Sequence, residues 1–183
     1  MSAKALIPLV EGFEEIEALT VVDVLRRGGV DVVTASVSGG LDVKGAHGVT
    51  VKADAAFDAA AADSYDAVVL PGGPGTGNLR TDAVIARLRR QKEEDRLICA
   101  ICAAPTVLVA AGVLEPGQHV TCYPTCVMDL DRKCAGVPVV ADGNVITGQA
   151  PGAALLFSLV VLQALTDEAN AQKVARGMVT DVL

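Results

Sequence analysis

The chain has little aromatic surface and almost no histidine. Phe, Tyr and Trp make up 3% of its 183 residues, Trp is absent, and there are two His. A base-stacking surface or an aromatic sugar-binding cleft would need more rings than this. Basic residues are also scarce, since 15 Lys and Arg stand against 22 Asp and Glu, a formal net charge of −7. We therefore expect neither nucleic acid nor a membrane as a partner, and favour a small neutral or weakly charged ligand.

Long apolar runs and a leader-like N-terminus are also missing. No segment reaches the roughly 20 apolar residues of a membrane span. The apolar run at 5–10 is short and ends at Glu11, unlike a signal peptide. With five cysteines, an odd number, the chain is expected to be cytoplasmic with free thiols. Its 51% hydrophobic content predicts one domain, residues 1–183, with a full core.

Apolar strand-like segments alternate with helical ones along the chain. Strands are predicted at 5–10, 30–35, 65–70, 97–101 and 119–122, hairpins at 43–52 and 137–147, and helices at 16–27, 54–63, 81–92, 103–111, 153–165 and 166–177. Because the strands are nearly continuous apolar runs, they predict a mostly parallel sheet covered by helices on both faces. Ligands bind such sheets at the carboxyl ends of the strands.

Cys102 lies at a predicted sharp turn from strand to helix. Apolar residues 97–101 precede it, and Pro105 is suited to the first turn of a helix. The small residues Ala100 and Ala104 allow strand and helix to crowd together at such an elbow. An elbow presents its turn residue above the sheet, and the helix N-terminus favours thiolate. We therefore predict that Cys102 is a nucleophile, mostly thiolate at neutral pH; the alternative is an inert buried thiol.

Acidic residues follow the first predicted strand. A partly buried carboxyl at Glu15 would have a raised pKa and could exchange a proton with Cys102. Spacing does not single out Glu15, because Glu11, Glu14 and Glu17 are equally available. The alternative interpretation is an acid that only stabilises the positive end of the helix dipole.

A glycine-rich loop, 71–77, follows the third core strand. It contains Gly72 and Gly73, whose free N–H groups can bind an oxyanion beside Cys102. The loop lacks the Gly-Lys-Ser/Thr sequence of a phosphate-binding loop, so it is a weak nucleotide site.

The remaining cysteines do not form a familiar motif. Cys99 and Cys102 have C-x-x-C spacing, but Cys99 lies inside a strand, which disfavours a dithiol redox pair. Residues suited to zinc follow later in the chain, at His119, Cys122, Cys126 and Cys134. Their spacing matches no paired-ligand pattern, so structural thiols are favoured and neither a metal nor a cofactor is expected.

Four motifs together closely resemble the DJ-1/ThiJ/PfpI superfamily, and within it the DJ-1 and YajL branch. They are Glu-Glu at 14 and 15, Leu-Pro-Gly-Gly at 70–73, Ala-Ile-Cys-Ala-Ala-Pro at 100–105 and Ala-Pro-Gly at 150–152. The resemblance implies a flavodoxin-like, class I glutamine amidotransferase-like three-layer sandwich that forms homodimers. It also implies an oxidisable nucleophile at Cys102 hydrogen-bonded to a protonated Glu15. Backbone donors at Gly73 and Ala103, and a pocket with Gly72, Tyr123 and Pro151, complete the implied site.

Departures from relatives narrow the expected chemistry. Peptidase-like relatives have His after the nucleophile, where this chain has Ala103, so a protease is disfavoured. DJ-1-like members that process methylglyoxal often have His in place of Tyr123, which predicts slow turnover here. The resemblance then implies a hydrolase or lyase of the glyoxalase or deglycase type, acting on small carbonyl substrates or glycated adducts. The alternative is a non-enzymatic redox sensor or chaperone in which Cys102 becomes sulfinate.

Overall fold

A seven-stranded sheet forms the centre of the computed structural model, which describes residues 2–181. In chain order the elements are β1 (Lys4–Leu9), α1 (Glu15–Arg27), β2 (Asp31–Ser36), β3 (Asp42–Lys44), β4 (Thr50–Lys52), β5 (Ala55–Ala56), α2 (Phe57–Ala60), β6 (Ala67–Leu70), α3 (Asp82–Glu93), β7 (Leu97–Ile101), α4 (Pro105–Ala111), β8 (Val139–Asp142), β9 (Val145–Gly148), α5 (Ala154–Leu165) and α6 (Glu168–Gly177). Short 3₁₀ helices span Pro74–Leu79, Pro124–Asp129 and Pro151–Ala153.

The strands follow the order β5-β2-β1-β6-β7-β9-β8. All neighbours are parallel except β8, which runs antiparallel to β9, while β3 and β4 form a separate antiparallel pair. Buried apolar residues form one cluster on each face of the sheet, with Phe157 of α5 in one and Leu108 of α4 in the other. The predicted three-layer α/β fold with a mostly parallel, flavodoxin-like sheet is confirmed.

Two predicted elements differ in the structure. The segment 119–122 is not a strand; Val120 makes only an isolated bridge with Cys134. Its N–H groups donate to side-chain oxygens and not to a neighbouring strand. His119 N–H donates to Asp142 Oδ2, and Thr121 N–H donates to Thr147 Oγ1.

The helix predicted at 54–63 is reduced to α2, which follows the edge strand β5. Asp54 explains the shortening, because its Oδ2 accepts the N–H and the hydroxyl of Thr34. These bonds hold the chain extended along the sheet edge, and the helix begins only at the buried Phe57.

The first strand separates from its neighbour before it ends. The register of β1 with β6 covers only Ala5 and Leu6, whereas its register with β2 continues to Leu9. Pro8 has no N–H to donate to a ladder, which is consistent with this early separation. The loops after β1 and β6 meet beyond the gap, where Glu14 N–H donates to Gly72 O at 2.9 Å. Within residues 2–181, no helix is long and apolar enough to cross a bilayer.

Candidate active site

Cys102 occupies a strained elbow between β7 and α4. Its φ is +65°, a left-handed value that a non-glycine residue rarely adopts. The chain is fixed on both sides of it: Cys102 N–H donates to Gly148 O at 2.9 Å, and Tyr123 N–H donates to Cys102 O at 2.8 Å. Ala100 and Ala104 are fully buried, as close packing of strand and helix requires. The predicted elbow is therefore present, with the Cys102 side chain at its tip.

The carboxyl group that faces this thiol belongs to Glu17, not to Glu15. Glu17 is fully buried on α1, and its carboxyl lies beside the Cys102 thiol, where each group shifts the pKa of the other. Its Oε2 also accepts the N–H of Gly72 at 2.8 Å. Its Oε1 is buried and has no hydrogen-bond partner among the described residues. The expected hydrogen bond between Glu15 and Cys102 is thus wrong.

Glu15 points instead to the loop between β3 and β4. Its Oε1 accepts the N–H of His47 at 2.6 Å, and its Oε2 lies 2.8 Å from His47 Nδ1. Burial raises the pKa of Glu15, but the bonds from His47 outweigh it and hold this pKa below its usual value. The same pairing raises the pKa of His47. Residues two apart on a helix point about 200° apart, so Glu15 and Glu17 cannot share one target.

The pKa values of the pair depend on burial and on each other. Burial raises the pKa of Glu17 to about 7. Burial also raises the pKa of Cys102, and a negative charge on Glu17 raises it further, while the N–H groups of Ala103 and Gly73 lower it. The predicted low-pKa thiol is therefore not what the structure indicates for Cys102 beside an ionised Glu17. Glu17 therefore loses its proton before Cys102 does, and its negative charge then favours the protonated thiol.

The glycine loop fits closely around this pair. A Cβ atom at Gly72 would lie 2.8 Å from Cys102 Cβ and 2.8 Å from Glu17 Oε2. Gly73 has a φ of +111°, and a Cβ atom there would meet Gly12 O at 2.5 Å. Only glycine permits this approach, which brings the Gly73 N–H to the sulfur.

The other two expected pocket residues, Tyr123 and Pro151, are connected to the elbow through the backbone. Tyr123 is joined to Cys102 through its backbone, and 41% of the residue is exposed. Pro151 begins the 3₁₀ helix that leads from β9 into α5, just after the Gly148 carbonyl that holds Cys102.

Within residues 2–181, one group of potential metal ligands is close enough together to hold an ion. The ligand atoms of Glu14, Glu15 and His47 lie within 4.8 Å of one another. Two of these carboxylates already have partners, since Glu14 Oε2 accepts the N–H of Glu17 at 2.8 Å and Glu15 binds His47. The described residues His119, Cys122, Cys126 and Cys134 do not form such a group.

Comparison with known proteins identifies relatives along almost the entire chain. Residues 3–164 match the DJ-1/PfpI family. Drosophila melanogaster protein dj-1beta is 40% identical over 183 residues, with 97% of each chain covered. The Caenorhabditis elegans glutathione-independent glyoxalase DJR-1.2 is 38% identical, with 90% of this chain and 88% of the relative covered. The solved structure of oxidised Toxoplasma gondii DJ-1 has a TM-score of 0.94 at 34% identity, covering 98% and 99% of the two chains. The chain belongs to the DJ-1/PfpI family.

Proposed function

We propose that this protein is a cysteine-dependent enzyme acting on small reactive dicarbonyls or their early adducts on other molecules, with chemistry of the glyoxalase or deglycase type. The observation that carries the proposal is the buried Glu17 carboxyl in contact with the strained Cys102 thiol. A relative of similar length is named a glutathione-independent glyoxalase, which supports this choice.

In the first step the Cys102 sulfur attacks the aldehyde carbon of a dicarbonyl such as methylglyoxal. The C–S bond forms, and the aldehyde oxygen becomes an oxyanion. The N–H groups of Gly73 and Ala103, which lower the pKa of the Cys102 thiol, would stabilise that charge. The proton of the Cys102 thiol, which the Glu17 carboxylate takes up as the sulfur attacks, then passes to the oxyanion and gives a hemithioacetal.

Glu17 then moves a proton within the bound adduct. As a carboxylate it accepts the proton from the former aldehyde carbon, and as an acid it returns that proton to the adjacent carbon. Through the enediol, the hydroxyl proton of the hemithioacetal moves to the neighbouring oxygen. The product is a thioester of the 2-hydroxy acid, and water releases the acid and the Cys102 thiol. The sum is methylglyoxal plus water giving lactate and a proton. The pKa of Glu17, which burial raises to about 7, suits both roles near neutral pH.

The test measures methylglyoxal consumption and lactate formation by the wild type, Cys102→Ser and the control Cys126→Ser. Cys126 is partly exposed outside the described site, so its replacement tests for a general effect of losing a thiol. We expect loss of lactate formation in Cys102→Ser alone. Equal rates in the wild type and Cys102→Ser would refute the proposal.

A non-enzymatic redox sensor is the second candidate. It is favoured by the two N–H donors at the Cys102 sulfur, which would also stabilise a sulfinate. The name of the Toxoplasma gondii structure states that this relative is oxidised. Intact mass after mild peroxide should rise by about two oxygen atoms in the wild type but not in Cys102→Ser. The rate of lactate formation before and after that oxidation distinguishes the two candidates. An unchanged rate would show that Cys102 is oxidised but does not catalyse the reaction, which favours the redox sensor.

We also propose a cytoplasmic homodimer. Exposed apolar side chains near Glu15 support the dimer: Ile16, its chain neighbour, is 55% exposed, and Val49, whose N–H donates to Glu15, is 49% exposed. Ile16→Lys should convert the dimer to a monomer in sedimentation velocity experiments, whereas the exposed Val137→Lys should not. A monomeric wild type would overturn this part.

A further inference from the structure

Two cysteine sulfur atoms lie close together on the face of the sheet opposite to Cys102. Cys122 belongs to the cluster around Leu108, whereas Cys102 belongs to the one around Phe157. The Sγ atoms of Cys122 and Cys134 are 3.8 Å apart. We propose that Cys122 and Cys134 form a reversible disulfide under peroxide, with Cys134 as the sulfur that reacts first and Cys122 as the resolving thiol.

The backbone brings these residues together, although twelve positions separate them in the sequence. Cys134 makes a parallel bridge with Val120, and Ala135 N–H donates to Val120 O at 2.8 Å. These contacts are independent of the side chains, so positions 122 and 134 should stay close when either cysteine is replaced.

The two thiols differ in exposure and in hydrogen bonding. Cys122 is 1% exposed, whereas Cys134 is half-buried and lines a surface depression with Arg132 and Lys133. A small peroxide can therefore reach Cys134 directly. The Cys122 thiol has two acceptors within reach, Tyr123 O at 3.3 Å and Cys134 Sγ at 3.8 Å. When it donates to Cys134 Sγ it favours a negative charge on that sulfur.

The pKa values agree with this assignment. Burial raises the pKa of Cys134, but N–H groups of Gly136 and Cys122 outweigh this effect and lower it below the usual value. Burial and the bond to Cys134 raise the pKa of Cys122 to about 12. Cys134 is thus the better nucleophile, and Cys122 keeps its proton until the second step.

The chemistry balances with hydrogen peroxide as the oxidant. The Cys134 thiolate attacks one peroxide oxygen, the O–O bond breaks, and the hydroxide leaves with a proton as water, giving a sulfenic acid. The Cys122 sulfur then attacks the Cys134 sulfur; the S–S bond forms, the S–O bond breaks, and the Cys122 proton leaves with the hydroxide as a second water. Two thiols are oxidised by two electrons, and one peroxide is reduced to two waters.

Only a short movement is needed to form the bond. The sulfur atoms must close from 3.8 Å to about 2.05 Å. The intervening chain consists of the 3₁₀ helix Pro124–Asp129 and irregular turns, whose side chains are mostly exposed. It can shift without disturbing the central sheet. Cys102 differs because it faces a carboxyl group, so the chemistry expected there is oxidation to an acid.

The experiment uses the full chain carrying Cys102→Ser, so that sulfinate at the active-site thiol does not enter the mass. The protein is treated with equimolar hydrogen peroxide, its remaining thiols are alkylated, and intact mass and non-reduced peptides are measured. We expect a loss of about 2 Da before alkylation, one peptide linking Cys122 to Cys134, and recovery of both thiols with dithiothreitol. Cys126→Ser, added to the same background, is the matched control and should keep the link.

Single replacements test the order of the two steps. Cys122→Ser should leave a sulfenic acid at Cys134 that dimedone captures, whereas Cys134→Ser should leave both Cys122 and the protein mass unchanged. A bond to Cys126, a bond between two chains, or capture at Cys122 in the Cys134→Ser variant would overturn the proposal. So would unchanged thiols at a peroxide dose that oxidises Cys102 in the wild type. None of these readouts depends on methylglyoxal turnover.

Discussion

Gly72 lies against Glu17, and its N–H donates a 2.8 Å hydrogen bond to the Oε2 atom of that buried carboxyl. The same glycine approaches Cys102 so closely that a methyl group would be 2.8 Å from the Cys102 Cβ. One loop residue therefore sets the separation between the carboxyl and the thiol.

Replacing Gly72 by Ala should push these two groups apart. Overpacking of this kind costs about 1–3 kcal/mol of stability, and we expect the rate of methylglyoxal consumption to fall more than about tenfold because a catalytic geometry tolerates little displacement. The matched control is Gly77→Ala, since a Cβ atom at Gly77 meets nothing within 4 Å. Urea unfolding and lactate assays would check both variants; equal activity in both would show that the close approach is not needed.

Glu17 and Glu15 should differ sharply in their effects on turnover. Loss of a positioned acid–base group costs about 10²–10⁴-fold, so Glu17→Gln should lower kcat/KM for methylglyoxal by that factor. Glu15→Gln breaks the contact with His47 on the far side of α1 and should change kcat/KM by less than about tenfold, because that carboxyl does not touch the sulfur. The opposite ranking would return the catalytic role to Glu15.

The reactivity of Cys102 should rise with pH in a way that reports on Glu17. In the wild type the pair loses its first proton at the pKa of Glu17, about 7. The negative charge on Glu17 then raises the pKa of the Cys102 thiol further, so the rate of alkylation by iodoacetamide should stay low through neutral pH and rise only above the ordinary cysteine value of about 8.5. In Glu17→Gln this charge is absent, so the rise should begin at a lower pH than in the wild type, while burial still keeps it above about 8.5. An unchanged profile in the variant would mean that the charge of Glu17 does not act on the thiol.

Stability should show the same ionisation. Since the pKa of Glu17 is raised by burial, the folded protein holds this proton more tightly than the unfolded chain. The resulting stabilisation is complete below the unfolded value near 4.5 and is lost as pH rises through about 7. This amounts to a loss on the order of 3 kcal/mol that Glu17→Gln should not show. Urea unfolding of both proteins at pH 4 and pH 8 gives the difference, and parallel changes in the two would contradict it.

Tyr123→His tests why turnover is expected to be slow. Tyr123 N–H is bonded to the carbonyl of Cys102, so residue 123 is held next to the elbow. An imidazole there can donate and accept protons near neutral pH, which a phenol does not. We expect the variant to consume methylglyoxal faster than the wild type, and assays on a preformed hemithioacetal would show whether the gain lies in proton transfer. A fast wild type that Tyr123→His impairs would mean that another residue moves this proton.

The sequence predicts the sheet and the elbow well because both depend on local patterns. Continuous apolar runs mark the parallel strands, and Pro105 after Cys102 marks the turn into α4. The separation of 119–122 from the sheet could not be predicted locally, since it depends on Asp142 and Thr147, which come later in the chain.

The choice among the glutamates failed for a different reason. In α1, the apolar residues Ile16, Leu19, Val22 and Leu25 recur every three residues, yet Ile16 is 55% exposed and only Leu25 is fully buried. The buried stripe is Glu17, Val21 and Val24, with the spacing of four and three that marks one helix face. Glu17 could have been singled out in the sequence because it is the acidic residue that shares this buried face with Val21 and Val24. What the acid contacts depends on the distant loop at Gly72, which no local pattern specifies.

The two oxidations proposed here, at Cys102 and at the Cys122–Cys134 pair, would take place on opposite faces of the sheet. Cys102 packs with the apolar cluster on one face and Cys122 with the cluster on the other. A pulse of peroxide should therefore produce two independent kinetic phases, one that reductants reverse and one that persists as an acid. The ratio of the two products would then record both how recent and how intense the exposure was, which a protein with one reactive thiol cannot do.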